Sequence, residues 1–319
     1  MSFDPSVFGP DAISQETRDF VAASMAMREQ MPSMDNTDLV ELRRLMDEGG
    51  GAFPVPPPVE RAEDRAVPGM GEGATVRIIR PEGREPAGVY LDIHGGGWVI
   101  GRARMSDQSN LALVEGFGLA TVSVDYRLAP EHPSPAGPDD CEAAAVWLVE
   151  NAAAEFGTER LLIGGGSAGA HLAAVTLLRM RDRHGYTGFQ GANLVYGPYD
   201  LSMTPSQRLG VGPEGGLDRA AIDRFYEMFI PGVDTTDPDV SPLNAHLHNM
   251  PPALFTVGSY DPLLDDSLFM HARWLAAGNE SELAVYPGGP HGFDAAPIPI
   301  GQQARERINA FIGERVAAG

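Results

Sequence analysis

"LLIGGGSAGAHL", residues 161–172, admits two readings, and the fold depends on which of them holds. Gly164, Gly166 and Gly169 match G-x-G-x-x-G, the spacing that lets a backbone approach a dinucleotide pyrophosphate. Gly165, Ser167 and Gly169 match G-x-S-x-G, the sharp strand-to-helix turn that presents a nucleophilic serine. Both need a strand before and a helix after, and RLLIG followed by AGAHLAAVTLLRMR supplies them. A tight turn with no chemistry would explain the glycines but not the serine among them.

The surrounding sequence separates these readings. A dinucleotide fingerprint occupies the first strand–helix–strand unit and is followed, ~20 residues on, by an acid that holds the ribose. Here TVRIIR, GVYLDIH and LATVSVD come first, and the strand that follows, ANLVYG, runs into Gly197 and Pro198 with no such acid. The serine reading makes its own demand. A serine hydroxyl needs a histidine base, an acid to orient that base, and donors for the oxyanion. In TVGSYDPLLDD, Asp261 stands just past an apolar strand, and in AVYPGGPHGFD His291 stands just past the next one. The order Ser167, Asp261, His291 is the one this turn requires. Upstream, LDIHGGGWVIG puts His94, Gly95, Gly96 and Gly97 at another strand end. The backbone N–H groups of Gly96, Gly97 and Ala168 are the expected oxyanion donors, with Gly95 supporting the turn.

The rest of the chain fits a single α/β domain with additions. Seven short runs rich in branched residues, TVRIIR, GVYLDIH, LATVSVD, RLLIGG, ANLVYG, ALFTVGS and ELAVYP, read as strands of a mostly parallel sheet. Helical stretches fall near 105–117, 138–156, 168–184, 264–277 and 301–317. Residues 1–55 differ: two helical segments, the first capped by Ser14 and the second stopped by glycines from Gly49, precede the stiff FPVPPPVE. They read as an N-terminal helical cap and linker before a catalytic domain at 56–319. About 50 residues separate NLVYGPYD from PPALFTV, too many for a plain crossover, so a second cap element is expected near 200–235.

Composition narrows the function classes. Of 319 residues, 43% are hydrophobic and 21% charged, ordinary for a soluble globular protein. The formal charge of −21 is spread along the chain and opposes nucleic-acid and anionic-membrane partners. No run approaches the ~18 apolar residues of a membrane span. Cys141 is the only cysteine and reads as a small core residue. The opening MSFDPSVFGPDAISQ has no basic segment leading into an apolar one, and a cytoplasmic location is expected. His246 and His248 lack helical metal spacing and an acid cluster, so no metal is expected. His94 is expected to fix its loop by hydrogen bonding, and Asp265 to cap or salt-bridge the start of the helix that it opens.

At HGGGWVIG (94–101), VSVDYRLAPEHPSPAGPDDC (122–141), the turn around Ser167, DPLLDD (261–266) and PHGF (290–293), the chain resembles the bacterial, family IV, hormone-sensitive-lipase-like carboxylesterases of the α/β-hydrolase superfamily. The similarity covers roughly residues 55–319. It implies an α/β-hydrolase fold and a cofactor-independent serine carboxylesterase acting on small-molecule esters, with Ser167 as nucleophile, His291 as base and Asp261 as its orienting acid. Two positions depart from the family's usual G-D-S-A-G-G: the sequence here is Gly165-Gly166-Ser167-Ala168-Gly169-Ala170, without the carboxylate before the nucleophile. Trp98, Tyr199, Phe225 and Phe229 are the expected pocket walls. Short- to medium-chain acyl esters are the expected substrates, and a homodimer is left open as the assembly. An amidase or formamidase using the same triad is the rival enzyme. The rival outside enzymes is a non-catalytic small-molecule receptor on this scaffold, against which His291 counts.

Overall fold

The computed structural model describes residues 4–28, 39–48, 57–210 and 213–317. The chain runs through α1 (Gln15–Arg28), α2 (Leu39–Glu48), β1 (Glu63–Arg65), β2 (Thr75–Ile79), β3 (Val89–Ile93), α3 (Asp107–Phe117), β4 (Ala120–Asp125) and α4 (Ala136–Phe156). It continues through β5 (Leu161–Gly166), α5 (Ala168–His184), β6 (Gly191–Val195), α6 (Pro205–Leu209) and α7 (Arg219–Phe229). It closes with β7 (Ala253–Gly258), α8 (Leu264–Ala276), β8 (Ser281–Tyr286) and α9 (Pro299–Ala317). The strands form one sheet in the order β1-β2-β4-β3-β5-β6-β7-β8. β1 and β2 are antiparallel to their neighbours, and every pairing from β4 through β8 is parallel.

The seven apolar runs of the sequence are β2 to β8. β3, β6 and β7 are buried along their whole length, which is why their sequences lack polar alternation. Successive residues still serve opposite faces. Tyr90, Leu162 and Leu254 pack with Leu113 of α3 and with Phe311 and Ile312 of α9. Their neighbours Leu91, Ile163 and Phe255 pack into the main core with α4, α5 and α8. β1 was not expected from the sequence. Its three residues, EDR, are charged and exposed or half-exposed, so no apolar pattern marks them.

Ser14 caps α1 as expected, its Oγ accepting from the Thr17 amide at 3.2 Å. Ile13 and Thr17 lie against Gly288, on the loop that carries His291. α2 is held differently. Arg43 donates from Nε to the Val99 carbonyl at 2.8 Å and from Nη2 to the Ala129 carbonyl at 2.6 Å, and pairs with Glu131 at 2.8 Å. The expected glycine stop after α2, and the linker as far as residue 56, lie outside the described residues. Within the long β6–β7 connection, α7 lies over the carboxyl edge of the sheet, its Phe225 close against Gly97. Cys141 is fully buried.

Candidate active site

Three strand ends converge at that edge. Ser167 follows β5 directly and precedes α5, with φ 56° and ψ −124°, a backbone that a serine adopts only when its surroundings enforce it. The enforcement is visible in the packing. Its amide donates to the Val195 carbonyl at 2.9 Å. A Cβ on Gly169 would lie 1.9 Å from the Ile93 carbonyl, so the first turn of α5 approaches β3 as only glycine allows. Position 166 differs, because a Cβ there would meet nothing nearer than Tyr196 at 3.5 Å. The glycine that replaces the family's usual acid is therefore not required sterically.

Ser167, His291 and Asp261 are brought together. Oγ of Ser167 lies 2.9 Å from Nε2 of His291, and Nδ1 of His291 lies 2.8 Å from Oδ2 of Asp261. Asp261 is fully buried, and its other oxygen accepts from the Leu263 amide at 2.9 Å, which fixes the carboxylate. The amide of His291 donates to the Gly215 carbonyl at 2.7 Å, tying the histidine loop to the segment before α7. Burial disfavours a charged His291, but the charge and hydrogen bond of Asp261, with a further contribution from Asp294, outweigh it and raise its pKa above the ordinary 6.5. The protonated imidazole is thus favoured in this setting.

Facing the serine, Gly96 and Gly97 turn at φ 113° and 59°. Their amides, and that of Ala168 at the start of α5, donate to no other group among the described residues. A Cβ on Gly97 would lie 2.4 Å from the Phe225 ring, so the loop and α7 touch there without a side chain between them. His94 fixes this loop as expected. Its Nδ1 is 2.7 Å from the Gly95 carbonyl, its ring stacks on Tyr126 at 4.2 Å, and the Tyr126 hydroxyl donates to the His94 carbonyl at 3.1 Å.

A cavity of about 470 Å³ opens over Ser167 and His291, walled by Trp98, Leu217, Ile222, Phe225, Tyr226 and Leu263. Trp98 and Phe225 are thus where the sequence suggested. Two other expected walls are not. Tyr199 is fully buried, edge-on to Phe255 with ring centroids 5.9 Å apart, because Pro198 and the bonded Tyr199 amide turn the chain inward before it. Phe229 stacks behind Trp98 at 4.4 Å with planes 3° apart, so it backs the wall rather than forming it. Ile222 and Tyr226 were missed, although they lie one helical turn from residues that were singled out. Asp265 also departs from expectation. Its carboxylate accepts from the Ser206 amide at 2.8 Å and so caps α6 rather than the helix to which it belongs. The carbonyls of His246 and His248 accept from Arg181, at 2.7 and 2.8 Å.

Comparison with known proteins agrees with this geometry. Residues 90–295 match the family model described as alpha/beta hydrolase fold. The chain is 37% identical over 265 residues to a carboxylesterase of Mycobacterium tuberculosis named NlhH, covering 78% of this chain and 81% of that protein. The chain belongs to the hormone-sensitive-lipase-like carboxylesterases of the α/β-hydrolase superfamily. Among solved structures, a hyperthermophilic esterase from the archaeon Pyrobaculum calidifontis superposes on this esterase with a TM-score of 0.83 at 30% identity, covering 96% of this chain and 99% of that one. A hormone-sensitive lipase from a metagenome library superposes at 0.82 with 28% identity, covering 94% and 98%. Among the described residues, no helix of this esterase is long and apolar enough to cross a membrane.

Proposed function

We propose that this esterase hydrolyses short- to medium-chain acyl esters through an acyl-enzyme on Ser167. The observation that carries the reading is the relay of 2.9 Å and 2.8 Å from Ser167 through His291 to Asp261, opening into an apolar cavity beside three uncommitted amides. Oγ attacks the ester carbonyl carbon while Nε2 takes the hydroxyl proton. The carbonyl oxygen gains charge against the amides of Gly96, Gly97 and Ala168, which are already oriented and need no reorganisation. Collapse breaks the bond to the alcohol, which leaves with the proton from His291. Water then attacks the acyl carbon, gives its proton to His291, and Ser167 departs reprotonated as the acid is released. Helix α7, which walls the cavity, acts as the lid over this chemistry, and α1 and α2 brace the loops of His291 and Trp98 beside it.

The decisive experiment pairs Ser167→Ala with an active-site phosphonate. The variant should lose on the order of 10³-fold or more in ester turnover while keeping its fold. The parent protein should take up one phosphonate, on Ser167. An alanine variant retaining above about a tenth of parental turnover would sink the assignment. An anilide cleaved as fast as the matching phenyl ester would move the reading to an amidase.

A further inference from the structure

A second carboxylate stands near His291, outside the Ser–His–Asp relay. Tyr196 directly follows β6 at φ 36°, a backbone unusual for an aromatic residue, and lines the cavity. Its ring packs on the His291 imidazole with centroids 4.7 Å apart. Its hydroxyl donates to Oδ1 of Asp294 at 2.5 Å. Asp294 follows His291 by three residues and sits in the short 3-10 turn Phe293–Ala295. Arg305 of α9 reaches this turn but donates to the carbonyls of Asp294 and Ala296, while the carboxylate is held by the Tyr196 hydroxyl together with backbone amides of its own turn. An ideal Cβ on Gly166 would lie 3.6 Å from the Tyr196 hydroxyl. Position 166 thus leaves room beside the Tyr196 hydroxyl, and the carboxylate that meets this hydroxyl comes from the turn just after His291.

We propose that Asp294 is a positioning residue for the reaction: Tyr196, packed on His291, holds the Asp294 carboxylate where its charge favours the imidazolium. This rests on His291 being the catalytic base. Asp261 bears directly on the ring and Asp294 acts without touching it, while Arg305 of α9 is the cation bonded to the backbone of the Asp294 turn. Glu214 is a further acid, next in sequence to the Gly215 carbonyl that holds the His291 amide. Burial raises the carboxyl of Asp294 itself, while the Tyr196 hydroxyl pulls it back toward the charged form. Burial likewise opposes charge on His291, so each nearby carboxylate counts there.

The test is the pH profile of kcat/KM for p-nitrophenyl butyrate, from about pH 5 to about pH 9, with Asp294→Asn, Asp294→Glu and Tyr196→Phe. Asparagine still accepts from Tyr196 but carries no charge, so the kinetic pKa should fall by about half a unit, less than a carboxylate in direct contact would give. The high-pH plateau should stay within about threefold of the parent, an effect of charge and not of lost packing. Asp294→Glu should keep the parental value, and Tyr196→Phe should move it part of the way down. An unmoved kinetic pKa in both Asp294→Asn and Tyr196→Phe overturns the proposal. If Asp294→Asn does not fold, Tyr196→Phe decides alone. Ser167→Ala, run alongside, separates the two conclusions: its inactivity leaves the triad standing whatever the Asp294 result.

Discussion

Trp98 and His171 are joined by a hydrogen bond, indole Nε1–H to imidazole Nδ1 at 3.1 Å, which ties the glycine loop after β3 to the first turn of α5. Trp98 follows Gly96 and Gly97 at φ 60°, and His171 sits one helical turn after Ser167. The other nitrogen of His171, Nε2, lies 2.8 Å from the Val240 carbonyl, so only the neutral Nε2–H tautomer satisfies both partners. This bond, with the Phe229 ring stacked behind, holds the cavity wall at a fixed distance from Ser167.

The first prediction follows from that tautomer. Burial pushes the pKa of His171 down from 6.5 to about 4. Between those values the unfolded chain takes up a proton that the folded one refuses, so stability is full above ~6.5 and is lost as pH falls toward ~4. His171→Leu should be less stable than the parent at neutral pH, because it leaves two buried groups unpaired. The gap should narrow by roughly 2 kcal/mol between pH ~7 and pH ~5, measured by urea denaturation. A gap that is constant with pH would mean that His171 is not held neutral.

The second concerns the relay. Because His291 is raised above 6.5, kcat/KM should fall tenfold per unit below a kinetic pKa lying on the neutral side of that value. Asp261→Asn removes the charge and hydrogen bond that offset burial, so the acid limb should move to lower pH. The plateau should drop on the order of 10³- to 10⁴-fold, since the ring loses its tautomer and its stabilised cation. Unchanged activity in that variant would assign the orienting acid elsewhere.

How legible all this was depends on what each residue answers to. Ser167, Asp261, His291 and the glycines at 95–97 sit at strand ends, and strand ends are marked by apolar runs breaking into glycine, proline or acid. Their meeting is then a consequence of parallel topology. Walls of the cavity are a different matter. Whether Phe225 or Phe229 faces Ser167 is set by the rotation of α7 against Trp98, a tertiary fact without a local signature. Tyr199 looked like a wall because it follows a strand end, but the bonded amides at 199 and 200 carry it into the core. β1 was illegible because an exposed three-residue edge strand needs only backbone hydrogen bonds.

Those bonded amides carry the third prediction. Buried Asp266 accepts from the amides of Tyr199 and Asp200, from the Thr204 hydroxyl at 2.7 Å and from Gln207 Nε2 at 2.7 Å. Gln207 in turn accepts from the Tyr226 hydroxyl at 2.9 Å, so a chain of bonds runs from α8 through α6 to a cavity wall on α7. Asp266→Asn turns an NH2 group against donors and should cost about 1–3 kcal/mol. Because the loosened element is a cavity wall rather than the Ser167 turn, KM should rise more than kcat falls. A lowered melting temperature with KM unchanged would make the chain a fold anchor alone.

The last prediction is substrate size, and it turns on Phe225. A cavity of about 470 Å³ with apolar walls gains ~0.8 kcal/mol per buried methylene, close to fourfold in kcat/KM, until it is full. Beyond that point longer chains meet steric strain. The optimum in a p-nitrophenyl ester series should therefore fall at short to medium acyl chains, about C2 to C8. Phe225 is the wall that touches the glycine loop, its ring filling the space a Cβ on Gly97 would take. Phe225→Ala should move the optimum up by roughly two to four methylenes and lower kcat/KM for acetate, which no longer fills the site. With a net charge of −21, the protein should show negligible activity on emulsified long-chain triglyceride in an anionic interface. An unmoved optimum in Phe225→Ala would place the acyl chain against Ile222 or Leu263 instead, and triolein hydrolysis rising at the emulsion threshold would mean that α7 opens onto lipid.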